Sequence, residues 1–545
     1  MDRIRRVKCD ESRPICHKCV STGRTCEGYG IWGGGGKATE FQFIGQQKFK
    51  DRCIILPHAT PTLNLAETTE ETCYFEWFKF RTATKLRGLF PSSYWDIILF
   101  QASSKEPAVW HAVLALSSAH QRECFEGKSN MGNGSNGTPL DKHERFMLRQ
   151  YSKAISHLTD YSLSGKANSD IRIALVTCVL FICFELLLGR YQTAQAHLQN
   201  GLKLLEELEV TGSTRSANYI DDGIMEAFSR IYSQVQLFTK PFPKPRICLP
   251  ISEMNCPTSP FQSIEQARQH LQHLFSHMFY LTEQAGCQGV SVKIEVSLQL
   301  LDHHKHIRAQ LKSWLYTYKA SRPIFLAQML EPGAFAYEML HLYHLMATVM
   351  AHACLSPTDE WIYDAHTNNF VTMLMKAIHI RQMFPAVSTA LHGFDIDKSK
   401  ATMDMGWIPP LYFAAIKCRN HRVRLQAIKL LKSTGPLHRE GIWDAEIAAC
   451  VATKVMQIEE GIFYEDMNID DGFEFDSQPG ENDFLLPVLP DACRVCDVQV
   501  VLPDDPQGKM ILSCKRKQDD GGSVVLMNEY DMRSLLWIDK GEVEE

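Results

Sequence analysis

Apolar residues along most of this chain recur at three- and four-residue intervals, the spacing that lines one face of an α-helix. Between Ala108 and Ala119 the stripe is Val109, Val113, Leu116 and Ala119, with Ser104 as a cap candidate and Pro107 in the first turn. Leu148, Tyr151, Ile155 and Leu158 form a second stripe, and Ala194, Leu198, Leu202 and Leu205 a third. Further helical blocks are read at Tyr337–Leu355, Phe370–Phe384, Pro410–Lys432 and Trp443–Glu460, and a Gly/Asn/Ser-rich loop at Gly127–Pro139. The pattern predicts a mainly α fold with one large helical domain over residues 71–460. Near the C-terminus the texture changes. Two short runs of β-formers, Val495–Leu502 and Met510–Lys515, flank the turn-rich Pro503–Gly508 and predict a small β-hairpin within residues 461–545.

Composition narrows the class. At 545 residues, with 45% apolar and 22% charged residues, the chain has the balance of a soluble globular protein, which excludes collagenous or wholly disordered readings. The most lipid-like segment, Ile171–Leu188, is interrupted by Arg172, Thr177 and Glu185, so it reads as a buried core helix and no membrane partner is expected. No apolar stretch follows the first positive charges in MDRIRRVKCD, so no secretory signal can be read and a reducing compartment is expected. Residues 27–70 read as a flexible linker, with four consecutive glycines at Gly33–Gly36 and prolines at Pro57 and Pro61.

The net charge of −6 averages two unlike regions. Residues 1–26 carry seven Lys/Arg against three Asp/Glu, a local excess of +4. Four of the 18 cysteines fall in the same stretch, at Cys9, Cys16, Cys19 and Cys26, with spacing C-x6-C-x2-C-x6-C. Clustered thiols in a reducing compartment point to a metal sooner than to disulfides. Thiolates two residues apart can share one tetrahedral zinc at about 2.3 Å, and a segment too short for its own apolar core needs such a metal to fold. Arg3, Arg5, Arg6, Lys8, Arg13, Lys18 and Arg24 crowd around them. A metal-stapled basic knob suits double-stranded DNA, with cations on phosphate and some side chains left to read base edges. A purely structural zinc knuckle is the plainer alternative.

The stretch RRVKCDESRPICHKCVSTGRTCEGYG closely resembles the larger part of the fungal C6-type binuclear zinc-cluster DNA-binding domain. In that family the pattern is C-x2-C-x6-C-x5–12-C-x2-C-x6–8-C, and Cys9, Cys16, Cys19 and Cys26 match its third to sixth cysteines. Asp2 stands where the second would lie, and the first would precede Met1. Three readings follow: a true start further upstream, a single zinc held by four thiolates, or a regulator that has lost DNA binding. The resemblance implies that Arg5, Arg6 and Lys8 meet bases and nearby phosphates of CGG-like triplets, while Arg13, Lys18 and Arg24 face the backbone. The segments AVLALSSAHQ (112–121), YSKAISHL (151–158), LVTCVLFICFELLLGRYQTAQAHLQNGLKLL (175–205) and CRNHRVRLQAIKLLKSTGPLHREGIWDAEIAA (418–449) are similar to the helical regulatory domain of these transcription factors. What this implies is a nuclear transcription regulator, in some members of biosynthetic gene clusters. Its expected partners are DNA, transcription machinery or co-regulators. No coiled coil is visible, so any homodimer is expected to form through the helical domain. The alternative is a co-regulator that keeps the helical domain and does not touch DNA.

Other candidates are weaker. His270, His273 and His277 share a helix face and His303, His304 and His306 lie close together, but no H-E-x-x-H or carboxylate accompanies them, so solvent-facing or locally bonded histidines are expected. Cys493-Arg-Val-Cys496 is a lone CxxC and reads as two strand cysteines. No Walker A, GxGxxG or GxSxG signature is present, and nothing argues for an enzyme. Glu459–Asp483 holds ten acidic residues, no Lys or Arg, and Phe463, Tyr464, Phe473 and Phe475. That composition fits an activation segment or a solvated inter-domain loop.

Overall fold

The structure is a computed structural model that describes residues 65–126, 141–164, 167–210, 222–238, 255–286, 294–328, 332–392, 401–433, 438–467, 469–518 and 522–544. Helix α1 (Thr69–Trp77) starts on the Thr68 side chain, which accepts from the Glu71 N–H at 3.2 Å, and runs through a π-helical turn, Phe78–Thr82, into α2 (Ala83–Arg87). Then follow α3 (Leu99–Ser103), α4 (Pro107–Glu126), α5 (Lys142–Ser164), α6 (Ala167–Leu188), α7 (Tyr191–Val210) and α8 (Asp222–Phe238). Helix α4 packs on α5 and α6, and α6 on α7. All four residues of the Val109 stripe are buried, as are all four of the Ala194 stripe. The Leu148 stripe is only the flank of the true face: Phe146, Met147, Gln150 and Ala154 are buried, while Ile155 is 41% exposed. Ser104 does not cap α4; its hydroxyl donates back to Gln101 O at 2.8 Å and closes α3. The lipid-like segment is the C-terminal part of α6, and it is buried inside the protein against its neighbours.

The second half adds α9 (Ile264–Gly286), α10 (Ile294–Ala320), α11 (Arg322–Gln328), α12 (Pro332–Ala353) and α13 (Thr367–His392). A 3-10 turn, Glu360–His366, leads into α13. The predicted block Pro410–Lys432 is two helices, α14 (Ile408–Lys417) and α15 (His421–Ser433). Cys418 turns extended between them, and the Asn420 side chain caps α15 by accepting from the Val423 N–H at 3.1 Å. Trp443–Asp444 is a strand, and Asp444 caps α16 (Ala445–Glu460) through the Glu446 and Ile447 N–H groups at 3.0 and 3.3 Å.

Three two-residue strands, β1 (Ala401–Thr402), β2 (Arg439–Glu440) and β3 (Trp443–Asp444), staple the halves together. Arg439 donates to Leu186 O and Leu187 O at the end of α6 and pairs with Glu123 of α4. The Glu440 carboxylate accepts the N–H groups of Gly406, Trp407 and Ile408 at 2.8–3.1 Å, placing an anion at the start of α14.

The predicted hairpin exists, as β4 (Val495–Val501) and β5 (Lys509–Lys517), but two more strands continue it. These are β6 (Ser523–Asp531) and β7 (Leu536–Glu544), and the four form an antiparallel meander in the order β4-β5-β6-β7. Val500, Leu512 and Leu526 of the sheet join the same continuous apolar core as the helices. The β4–β5 turn also reaches back to α7, where Asp504 accepts from the N–H groups of Gln192 and Thr193 at 2.6 and 3.0 Å and from the Thr193 hydroxyl at 2.7 Å. A helix start is thus capped from more than 300 residues away in sequence.

Candidate functional site

The predicted metal and DNA residues, Cys9, Cys16, Cys19, Cys26, Arg3, Arg5, Arg6, Lys8, Arg13, Lys18 and Arg24, lie outside the described residues, as does most of the predicted linker. Within them, the densest chemistry surrounds α15. Arg419, in the break before the helix, pairs with Glu360 at 2.8 Å and with Glu459 at 3.0 Å. Arg424 meets the other oxygen of Glu459 at 2.6 Å and donates Nε to Ala415 O at 3.0 Å. Neither Arg424 nor Glu459 has exposed side-chain surface. Burial pushes the Glu459 carboxyl toward neutrality, but the two guanidinium groups and the Val495 N–H, at 2.8 Å, outweigh it and hold its pKa below the usual range. Lys417 adds a bond to Glu360 at 2.7 Å, and Arg494 forks onto Asp364 at 2.8 and 3.0 Å. These charges tie the 3-10 turn, α14, α15, α16 and the first strand of the meander into one unit.

His421 carries the network to the surface. Its Nδ1 lies 2.7 Å from Glu460 and its Nε2 2.9 Å from Asp471. Burial disfavours the charged ring, but the two carboxylates outweigh it and raise the His421 pKa. Asp471 belongs to the acidic segment, which is neither all solvated nor a linker between domains. Its first two acids, Glu459 and Glu460, end α16 as buried ion-pair partners. Residues 469–483 lie along α15 as a strap. Gln426 donates to Phe475 O and Ser477 O at 2.8 and 2.7 Å, and Arg422 bonds Ser477 through its hydroxyl at 2.8 Å. Lys429 donates to Asp471 O and, at 2.8 Å, to Phe473 O. The Phe473 ring lies under Arg422 at 3.2 Å and Lys429 at 3.8 Å, and the Phe475 ring under Arg381 at 4.6 Å.

The reading of the sequence missed this face of α15, although Arg422, Gln426 and Lys429 stand at i, i+4 and i+7, the spacing that places three residues on one side of a helix. Three members of the histidine clusters have local partners: His277 Nδ1 lies 2.8 Å from His303 Nε2, and His304 bonds Ala351 O at 2.6 Å. Burial, and then His303, pushes the His277 pKa down to about 4. No group of three metal-capable side chains occurs among the described residues. Cys496 is a buried strand cysteine, whereas Cys493 ends a 3-10 turn and not a strand.

Comparison with known proteins places these parts. Residues 3–31 match the fungal Zn(2)-Cys(6) binuclear cluster domain, and residues 77–239 the fungal specific transcription factor domain. The second match runs from the π-helical turn to the end of α8. The chain is 23% identical over 547 aligned residues, 84% of its length and 86% of the other's, to the aspercryptin biosynthesis cluster-specific transcription regulator atnN of Emericella nidulans. It is 27% identical over 223 residues, 40% of its length and 50% of the other's, to the transcription regulator lscL of Purpureocillium lilacinum. No solved structure matches it. The cluster domain is a zinc-binding one, so zinc is the cofactor of the N-terminal module. The chain thus pairs a match to the zinc-cluster domain with a match, further along, to the transcription-factor domain, and the relatives it resembles are transcription regulators.

Proposed function

We propose that the protein is a nuclear, sequence-specific DNA-binding regulator of a biosynthetic gene cluster, with Cys9, Cys16, Cys19 and Cys26 holding zinc and Arg3, Arg5, Arg6, Lys8, Arg13, Lys18 and Arg24 meeting DNA. The observation that carries this is the coincidence, within residues 3–31, of four thiols, seven cations and the cluster-domain match. Four thiolates are the donor set of one tetrahedral zinc, whereas a binuclear cluster takes six; bound zinc would fold the segment so that its cations form a fixed pattern. Arg5, Arg6 and Lys8 then read guanine edges of CGG-like triplets, and Arg13, Lys18 and Arg24 set register on phosphate. A module this small gains affinity from a second half-site, and a homodimer through the helical domain would supply one. The likeness to a cluster-specific regulator over most of both chains supports the biosynthetic assignment.

Zinc analysis and gel shifts on the full chain test the reading. One zinc per chain and a salt-sensitive shift of CGG-containing duplex, lost in Cys16→Ser and weakened in Arg6→Ala, are expected. A folded, zinc-free chain that leaves the duplex unshifted would favour the co-regulator. That second reading has one specific observation behind it: Asp2 stands where the family pattern has its second cysteine.

A further inference from the structure

The strap is bound to α15 in the way a peptide is bound by a receptor. From Gly472 to Gly480 its exposure alternates: Phe473, Phe475, Ser477 and Pro479 are half-buried, while Gly472, Glu474, Asp476, Gln478 and Gly480 face solvent. The segment bends once within this span, where the Ser477 N–H and hydroxyl both donate to Glu474 O, at 3.1 and 2.6 Å, and close a turn. It pairs with no strand; its odd-numbered carbonyls are read by side chains instead. Asp471 O and Phe473 O go to Lys429, and Phe475 O and Ser477 O to Gln426, with Arg422 on Ser477 as well. The reading residues ascend α15 while their partners descend the strap, so the two run antiparallel. Two strap carboxylates reach the surface, Asp471 on His421 at 2.9 Å and Asp483 on Arg422 at 3.6 Å, while Asp470, Glu474 and Asp476 face solvent and act at long range. The apolar part of the interface is two aromatic rings under three cations.

We infer that the α15 face formed by Arg422, Gln426 and Lys429, with Arg381 of α13, is a peptide-docking surface for acidic segments that carry two aromatic residues two positions apart and bend at the second. Residues 469–483 occupy it as an internal ligand, and a partner protein's segment of the same chemistry displaces them. Backbone reading fixes the bent conformation, the two ring sites select the aromatics, and the outward acids speed encounter. An interface of half-buried rings and side-chain bonds to carbonyls opens at lower free energy than a packed apolar core, which makes exchange available without unfolding the helical body. Tethering gives the internal strap an effective concentration near the millimolar range, so an outside segment competes only when it is abundant, multivalent or better matched.

The test uses the full chain with residues 470–480 replaced by a Gly/Ser segment of equal length, and a fluorescein-labelled peptide of residues 469–483. The replaced chain should bind the peptide at least about tenfold more tightly than the native chain, whose site is filled. Arg422→Ala with Lys429→Ala should weaken that binding by about tenfold or more, as should replacing both phenylalanines of the peptide by alanine. A replaced chain that keeps its melting temperature yet fails to bind would overturn the inference, as would equal binding of the alanine peptide, which would reduce the contact to bulk charge. If the replacement does not fold, amide exchange on the native sequence decides. In the Arg422→Ala, Lys429→Ala variant, residues 469–480 should exchange about tenfold faster while α4 and α6 keep their rates. Acceleration of all three together would mean the strap is an inseparable part of the fold, and the docking surface would be rejected.

Discussion

Helix α6 buries Leu175, Val176, Leu180, Ile182 and Leu187, whereas α15, inside the same continuous core, buries Arg422, Arg424 and Gln426 beside Val423, Ala427 and Ile428. The two regions are held by different physics. Around α6 the attraction is non-directional and grows with apolar area, about 25 cal/mol per Å², so small losses have graded costs. Around α15 the charges have left water, and their mutual attraction offsets that cost only while every partner is in place. The first region tolerates imprecision and the second does not. That is the division expected where a scaffold ends and a surface with specified geometry begins.

Removing Glu459 should have the largest effect. Glu459→Ala leaves Arg419 and Arg424 buried without their shared carboxylate, a loss of about 3–5 kcal/mol. Thermal and urea melts of the purified chain measure it, and a loss under about 1 kcal/mol would break the contrast drawn between the two regions. Next comes Leu180→Ala in α6, at about 2–4 kcal/mol; there Leu180→Met should cost under about 1.5 kcal/mol, a graded response that Glu459→Gln should not share. Third is Asp504→Ala, which frees the Gln192 and Thr193 N–H groups at the start of α7 and should cost about 1–2 kcal/mol. Because that cap joins the meander to the helices, proteolysis of β4–β7 should accelerate more than that of α4.

These differences explain which parts could be read from the sequence. The α4 and α7 stripes were legible because helices buried on one face repeat their apolar residues at helical spacing. The α6 core helix was legible for the converse reason, since its few polar residues rule out a span. The α5 face was misread by a fraction of a turn because Gln150, a buried polar residue bonded to Glu71 and His111, hides the centre of the buried stripe. The break at Cys418–Asn420 was missed because its signal, an asparagine cap, sits inside an otherwise continuous helical pattern. Strands β6 and β7 went unread because β6 alternates Val524, Leu526 and Asn528 inward, with a polar residue where the pattern wants an apolar one. The zinc module was legible as a motif, since ligand spacing is local. The strap was legible only as composition: acidic and aromatic content was plain, but its receptor lies about 50 residues earlier, and a long-range pairing of charges leaves no periodic trace.

The smallest effects compare two histidines. His421 is charged more readily in the fold than in the unfolded chain, because Glu460 and Asp471 outweigh its burial. Its contribution is therefore complete below the ordinary histidine range near pH 6.5 and is lost as pH rises through the raised pKa. His277 is held neutral, with its pKa at about 4, so it lowers stability as pH falls from about 6.5 toward 4. The slopes oppose each other. Asp471 is 55% exposed, so Asp471→Asn should cost only about 0.5–1 kcal/mol, and only while His421 is protonated. Urea melts at about pH 6 and pH 8.5 should find that cost at the lower pH and little at the higher, whereas His277→Gln should flatten the acid limb and leave the alkaline one unchanged. An Asp471→Asn cost that grows with pH would mean the strap is held by its rings and backbone carbonyls alone. The charged network around α15 would then end at Glu460 instead of reaching the surface.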